Sequence, residues 1–173
     1  MMEITEGQLT FSFPDEWEVV KYDDTNFYRK KVDKCKETKA VDILALSDSS
    51  LWIIEVKDFR GHRIENKDRI VNHELAEEVA QKVRDTVSGL YGAYRSSAEQ
   101  LSCFCTHMFP NNDRRIQVIL FLEEDRPADQ HKRFKQVRSS IKAKIEQQLS
   151  YLNVRCNVLN IQELSPQLGW SAA

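Results

Sequence analysis

Two runs of strand-forming residues separated by four turn-forming ones constrain this chain more than any other feature. Val41 to Leu46 reads Val-Asp-Ile-Leu-Ala-Leu, Leu51 to Lys57 reads Leu-Trp-Ile-Ile-Glu-Val-Lys, and Ser47-Asp48-Ser49-Ser50 lies between them. β-Branched and aromatic residues suit strands, while Ser and Asp suit tight turns, so the segment is predicted to form a hairpin. A turn closed symmetrically about residues 48 and 49 sets 46 opposite 51, and by the same count Asp42 opposite Glu55. Side chains alternate along a strand, so Glu55 and Lys57 emerge on one face while Trp52, Ile54 and Val56 take the other.

That register creates an electrostatic problem with chemical consequences. Directly opposed side chains have Cβ atoms about 4.5 to 5.5 Å apart, where two like charges destabilise a hairpin. Ile43, Leu44, Leu46, Ile53 and Ile54 surround the two carboxylates with apolar groups. Water is therefore a poor screen, and either a shared proton or a bound cation must offset the repulsion. A hard divalent ion such as Mg²⁺, with Mn²⁺ as an alternative, takes oxygen ligands and keeps several waters. Such an ion neutralises a non-bridging phosphate oxygen and lowers the pKa of a bound water. Lys57 adds an ammonium that can orient or deprotonate that water or stabilise developing charge. Asp42 and Glu55 are thus candidate metal ligands and Lys57 the candidate catalytic cation or base.

The remaining elements place this hairpin in a mixed sheet. Leu9, Phe11 and Phe13 alternate with polar residues and stop at Pro14, as a half-buried strand does. Glu18 to Tyr22 offers another short extended piece, and Asp23 to Lys39 is charged and irregular, with a short helix left open. Ala76, Val79, Ala80, Val83, Val87, Leu90, Tyr91 and Tyr94 recur at three- and four-residue steps, which predicts an amphipathic helix. Ile116 to Leu122 is a continuous apolar run, suited to a strand buried on both faces. Pro127 fits a first helical turn, and Phe134, Val137, Ile141, Ile145, Leu149 and Leu152 mark a second long helix. Val154 to Leu159 reads as a last strand, and the tail beyond Pro166 carries little pattern. The expected class is α/β (α+β), with all 173 residues in a single domain.

At this point the residues resemble a known family. An acid at Asp42, a hairpin turn and Glu55-Val56-Lys57 at the end of an apolar strand are similar to the signature of the PD-(D/E)XK nuclease superfamily. The helix, strand and helix that follow match that superfamily's core order, so the resemblance covers roughly residues 38 to 159. It implies a restriction-endonuclease-like mixed central β-sheet flanked by helices, and Mg²⁺-dependent cleavage of nucleic acid, DNA in the first instance. Val41 stands where many members have a proline, a replacement the superfamily accepts. Members often add an acid from an N-terminal helix, for which Asp23, Asp24 and Glu37 are available with none singled out, and a polar residue from the helix after the Glu-x-Lys strand. Gln81, beside Val79, Ala80 and Val83, is the candidate there, although the aromatic residue sometimes found four positions later is Asp85 here. A compact nuclease domain without a recognition module implies an oligomer, or a partner protein that chooses the substrate. The alternative reading is a module that keeps the fold without activity and binds nucleic acid or a protein. The plainest reading makes Glu55 and Lys57 an ordinary ion pair at a strand end, since so short a pattern also arises by chance.

Composition limits the other options. The net charge of −2 excludes a chain that coats nucleic acid through overall positive charge, so a phosphate-binding surface has to be local. Arg60, Arg63, Lys67 and Arg69 in the connection after the hairpin supply one cluster, with His62 and His73 near it. Lys132, Arg133, Lys135, Arg138, Lys142 and Lys144 on the second long helix supply another, which a solvated helix face also explains. No run approaches the roughly 20 apolar residues of a membrane-spanning helix, and the start MMEITEGQ lacks a signal-peptide pattern, so a cytoplasmic protein with reduced thiols is expected. Cys103-Phe-Cys105-Thr-His107 alternates as an extended segment would, without an evident fourth zinc ligand, and buried free cysteines are the simpler reading. Trp17, Trp52 and Trp170 are too far apart in sequence to argue for a stacking platform, and core packing is the expectation for Trp52.

Overall fold

The structure, a computed structural model, describes residues 1–62, 66, 68–70, 72–109, 115–125 and 131–173. Its central element is a five-stranded sheet of order β3-β4-β5-β6-β7, built from Glu18–Lys21 (β3), Ile43–Leu46 (β4), Ser50–Asp58 (β5), Arg115–Glu123 (β6) and Arg155–Leu159 (β7). Strands β3, β4 and β5 pair antiparallel, whereas β5, β6 and β7 pair parallel. Parallel neighbours need long crossovers, and helices supply them. Glu74–Arg95 (α1) and Ser102–Met108 (α2) lie between β5 and β6, and His131–Leu149 (α3) lies between β6 and β7. The sheet is mixed and the class is α/β in the broad sense expected.

The hairpin register is the one the turn count predicts. Ile43 pairs with Ile54, Leu44 with Ile53, Ala45 with Trp52 and Leu46 with Leu51. Ser47 N–H donates to the Ser50 carbonyl at 3.0 Å, and the Ser47 hydroxyl accepts from Ser50 N–H at 3.1 Å, which closes the turn at residues 48 and 49. Residues 50 to 56 are all buried, because β5 has β4 and β6 beside it and a layer on each face.

One face carries the helices. Leu44, Leu51, Ile53, Val118, Leu120 and Leu122 pack there against Leu75, Ala76, Val79, Ala80, Val83 and Leu90 of α1 and Ile141, Ile145 and Leu149 of α3. The stripes are those the three- and four-residue spacing marks, since residues so spaced share a helix face.

The opposite face is covered by a second sheet rather than by helices. Met2–Glu6 (β1), Leu9–Phe13 (β2) and Ser171–Ala172 (β8) form it in the order β1-β2-β8. Leu9, Phe11 and Phe13 meet Ile43, Ala45, Trp52, Ile54, Ile119 and Phe121 in a distinct apolar cluster closed by Trp170. Phe11 stands edge-on to Phe121 with ring centroids 5.0 Å apart, and Trp17 stacks on Trp52 at 6.1 Å. The three tryptophans, remote in sequence, are thus neighbours in the core. The tail that carries little pattern by itself supplies Trp170 and the third strand of this layer.

One further expectation changes. Cys103, Cys105 and His107 lie on the helix α2, not on an extended segment. Steps of two on a helix turn by about 200°, so Cys105 points away from Cys103 and His107, which are four apart and share the other side, and the three do not converge. Cys105 donates to the Leu90 carbonyl as a buried free thiol. Residues 23 to 39, left open above, contain a 3₁₀ turn at Tyr22–Asp24 and a π-helical turn at Tyr28–Val32. Arg63, Lys67 and Pro127 lie outside the described residues. Among the described residues no helix is long and apolar enough to cross a membrane.

Candidate active site

The sheet changes from antiparallel to parallel pairing at β5, and the candidate residues gather at its carboxyl end. In open α/β sheets that end of a parallel strand is where ligands bind, because crossover connections leave a crevice there. Asp42 immediately precedes β4, and continuation of the observed register sets it beside Glu55. The structure joins them directly: Val56 N–H donates to Asp42 Oδ2 at 2.6 Å. Lys57 Nζ lies 3.0 Å from Glu55 Oε1, so the two residues share a face as strand alternation requires. Asp42, Glu55 and Lys57 therefore come together on the helix-covered side of the sheet.

Helix α1 contributes the partners that strand spacing could not reveal. Glu78 and Lys82 are one turn apart, on the side of α1 that meets the sheet. Lys82 Nζ is 2.7 Å from Glu55 Oε1 and 3.9 Å from Asp42 Oδ1, while Glu78 Oε1 accepts from Lys57 Nζ at 2.9 Å. Arg69, whose guanidinium also lies over the Phe59 ring, pairs with the other Glu78 oxygen. Gln81, the helix residue the family resemblance nominates, is not brought to the cluster. Its amide donates to the Glu37 carbonyl at 3.2 Å, because one residue along a helix rotates a side chain by about 100°.

Of the three N-terminal acids available, Asp23 has the setting of a site residue. It sits in the 3₁₀ turn Tyr22–Asp24, which is tied to the site by a 2.8 Å bond from Tyr22 N–H to the Asp42 carbonyl. Asp23 Oδ1 is buried without a hydrogen-bond partner. Asp24 instead pairs with Arg29 at the surface, and Glu37 is exposed. Lys21, paired with Glu6 at 2.6 Å, borders the same region from β3.

Electrostatics mark the cluster as unusual. Burial, followed by repulsion from Glu55, pushes the Asp42 carboxyl up to about 7, against relief from Lys82 and the Val56 N–H. Burial likewise raises Asp23, with Asp42 and Glu6 adding to the shift against relief from Lys21. Lys57 is also half buried, but burial, which alone would favour its neutral form, is outweighed by Glu55 and Glu78, and its pKa rises. Glu55 is 1% exposed, and its Oε2 has no hydrogen-bond partner. Carboxylates held in low dielectric with unsatisfied oxygens are costly unless something positive completes them.

The donors present are of the chemical type a hard divalent ion takes. Glu55 Oε2 and Asp23 Oδ1 are orphaned buried acceptors, and oxygen is the donor Mg²⁺ prefers. Among the described residues no three His, Cys, Asp or Glu side chains converge closely enough to hold an ion by themselves, so waters would have to complete the shell of an ion held there. His73 begins α1 in a left-handed conformation, and His62 is exposed on the connection before it. Of the described basic residues there, Arg60 is engaged by Asp58 and Arg69 by Glu78. On α3, Arg138 is buried and donates to the Leu122 carbonyl at 2.6 Å while pairing with Glu163, so it serves packing.

Comparison with known proteins adds one partial similarity. Part of a cysteine–tRNA ligase from Neisseria meningitidis serogroup A / serotype 4A (strain DSM 15465 / Z2491) is 29% identical over 150 residues. The match covers 71% of this chain and 21% of the ligase, so the chain spans about a fifth of that relative's length. No family model and no solved structure matches the chain.

Proposed function

We propose that this protein is a divalent-metal-dependent nuclease with a restriction-endonuclease-like fold, hydrolysing phosphodiester bonds in nucleic acid. One observation carries the reading: Asp42, Glu55 and Lys57 converge at the carboxyl end of β5, with a buried carboxylate oxygen left unsatisfied. Asp42 and Glu55 would hold the ion, which would supply an acidified water and a charge against the phosphate. Lys57 acts as a fixed cation rather than a base, because Glu55 and Glu78 hold its proton. Glu78 positions that ammonium, and Lys82 bridges the two acids. Asp23 adds negative charge from the sheet's antiparallel side.

Lys82 also gives substance to the inactive-module reading, since an ammonium on both acids could leave a neutralised ion-pair cluster. Purified protein incubated with plasmid DNA, single-stranded DNA and transfer RNA, with Mg²⁺, Mn²⁺ or chelator, separates the two. RNA belongs in the set because of the partial similarity to a tRNA ligase. The nuclease reading expects metal-dependent cleavage that Asp42→Ala and Lys57→Ala each reduce by about a hundredfold or more. Gln81→Ala is expected to stay within about twofold, since neither acid is its partner. Cleavage indifferent to Asp42 and Lys57 ends the proposal, and binding without cleavage supports the inactive module.

A further inference from the structure

The four carboxylate oxygens of Asp42 and Glu55 are unequally free. Asp42 Oδ2 is taken by the Val56 N–H at 2.6 Å. Glu55 Oε1 receives Lys82 Nζ at 2.7 Å and Lys57 Nζ at 3.0 Å. What is left is Glu55 Oε2, which has no hydrogen-bond partner, and Asp42 Oδ1, which has Lys82 at 3.9 Å, beyond hydrogen-bond range. Each acid therefore retains one oxygen, enough to grip one ion between them.

We propose that the site takes a single divalent ion, and that the Lys82 ammonium supplies from the protein itself the positive charge a second ion would bring. This rests on the nuclease reading and specifies its metal stoichiometry. In two-ion sites the metals sit about 3.5 to 4 Å apart and share ligands. Lys82 stands where a second ion would share those ligands, its Nζ 2.7 Å from Glu55 Oε1 and 3.9 Å from Asp42 Oδ1. A second ion on Asp42 would also face an ammonium only 16% exposed, in surroundings that screen repulsion poorly.

The charge count agrees. Glu78 is engaged by Lys57 and Arg69, and Glu6 by Lys21. With Asp23, Asp42 and Glu55 these make five carboxylates against four cations, Lys21, Lys57, Arg69 and Lys82, a net charge of −1 that one divalent ion already reverses and a second would drive to +3. Asp23 does not convert this into a two-ion site, since it does not join Asp42 and Glu55 as a three-acid group able to hold an ion.

The test is Mn²⁺ titration of the full chain without nucleic acid, with bound ions counted by calorimetry and by loss of the free-ion electron paramagnetic resonance signal. Wild type is expected to bind one ion per chain, Asp42→Asn none, and Lys82→Met two, with far-UV circular dichroism verifying that each variant is folded. Lys82→Gln replaces the methionine variant should that one not fold. Any other pair of counts for wild type and the Lys82 variant overturns the assignment. One ion in both removes the role of Lys82 and leaves the nuclease reading standing; no ion in either removes both.

Discussion

Asp42 is subject to two opposing demands. Its position requires a carboxylate that can hold an ion, yet burial and Glu55 push its pKa up to about 7 from an unfolded value near 3.8. Between those pH values the folded state retains a proton that the unfolded chain gives up. Stability of the metal-free protein therefore falls as pH rises from about 4 to about 7 and levels off above, by at most about 4 kcal/mol. Urea unfolding at pH 5 and pH 8 in chelator should show this loss in wild type and not in Asp42→Asn, while Mg²⁺ at pH 8 should stabilise wild type alone. An equal slope in the variant would assign the proton to another group. At this scale Asp42, Glu55 and Lys57 were legible, because period-two alternation and a symmetric turn fix which side chains meet. Lys82, Glu78 and Asp23 were not. Their roles depend on how a helix and a 3₁₀ turn dock on the sheet, and polar residues beside an apolar stripe look alike in sequence.

Among the elements, α1 shows how packing and site geometry are linked. Gly89 faces the buried Tyr22, and a Cβ there would fall 2.2 Å from the Tyr22 hydroxyl. Alanine ordinarily improves a helix by up to about 1 kcal/mol over glycine, but overpacking a rigid core costs about 1 to 3. Gly89→Ala is therefore expected to destabilise the protein by about 1 to 2 kcal/mol in chemical denaturation. The Tyr22 hydroxyl is buried without a partner, so Tyr22→Phe should be tolerated and should relieve much of the Gly89→Ala defect. Additive losses in the double variant would show that the clash is not the cause. Tyr22 precedes Asp23 and its N–H bonds the Asp42 carbonyl, so displacing Tyr22 through Gly89→Ala should also slow any cleavage. The helix itself was readable from its apolar spacing. The run from Cys103 to His107 was not readable in this way: its alternating Cys and His suggest an extended chain, whereas a short helix buries Phe104 and Cys105.

At the scale of the whole molecule, the unanticipated feature is the second sheet. Trp170 is 5% exposed and contacts Phe11, Phe13, Trp52 and Phe121, joining the end of the chain to its beginning. Trp170→Ala should cost about 3 to 5 kcal/mol, as expected for a large aromatic removed from a core, with the unfolding midpoint as the measure. A loss below about 1 kcal/mol would mean that the tail is a loose cover. The sequence by itself determined the alternations: which strands are buried on both faces, where the hairpin turns, which helix faces are apolar, and hence that two acids and a lysine share one side of the sheet. These are local periodicities of two and 3.6 residues, and local geometry sets them. Only the tertiary structure decided that β1, β2 and the last residues form a layer over the second face, that three distant tryptophans meet, and that Lys82 rather than Gln81 reaches the acids. Those outcomes depend on the docking angle and depth of whole elements, which the summed packing of many side chains fixes and no short stretch of sequence encodes.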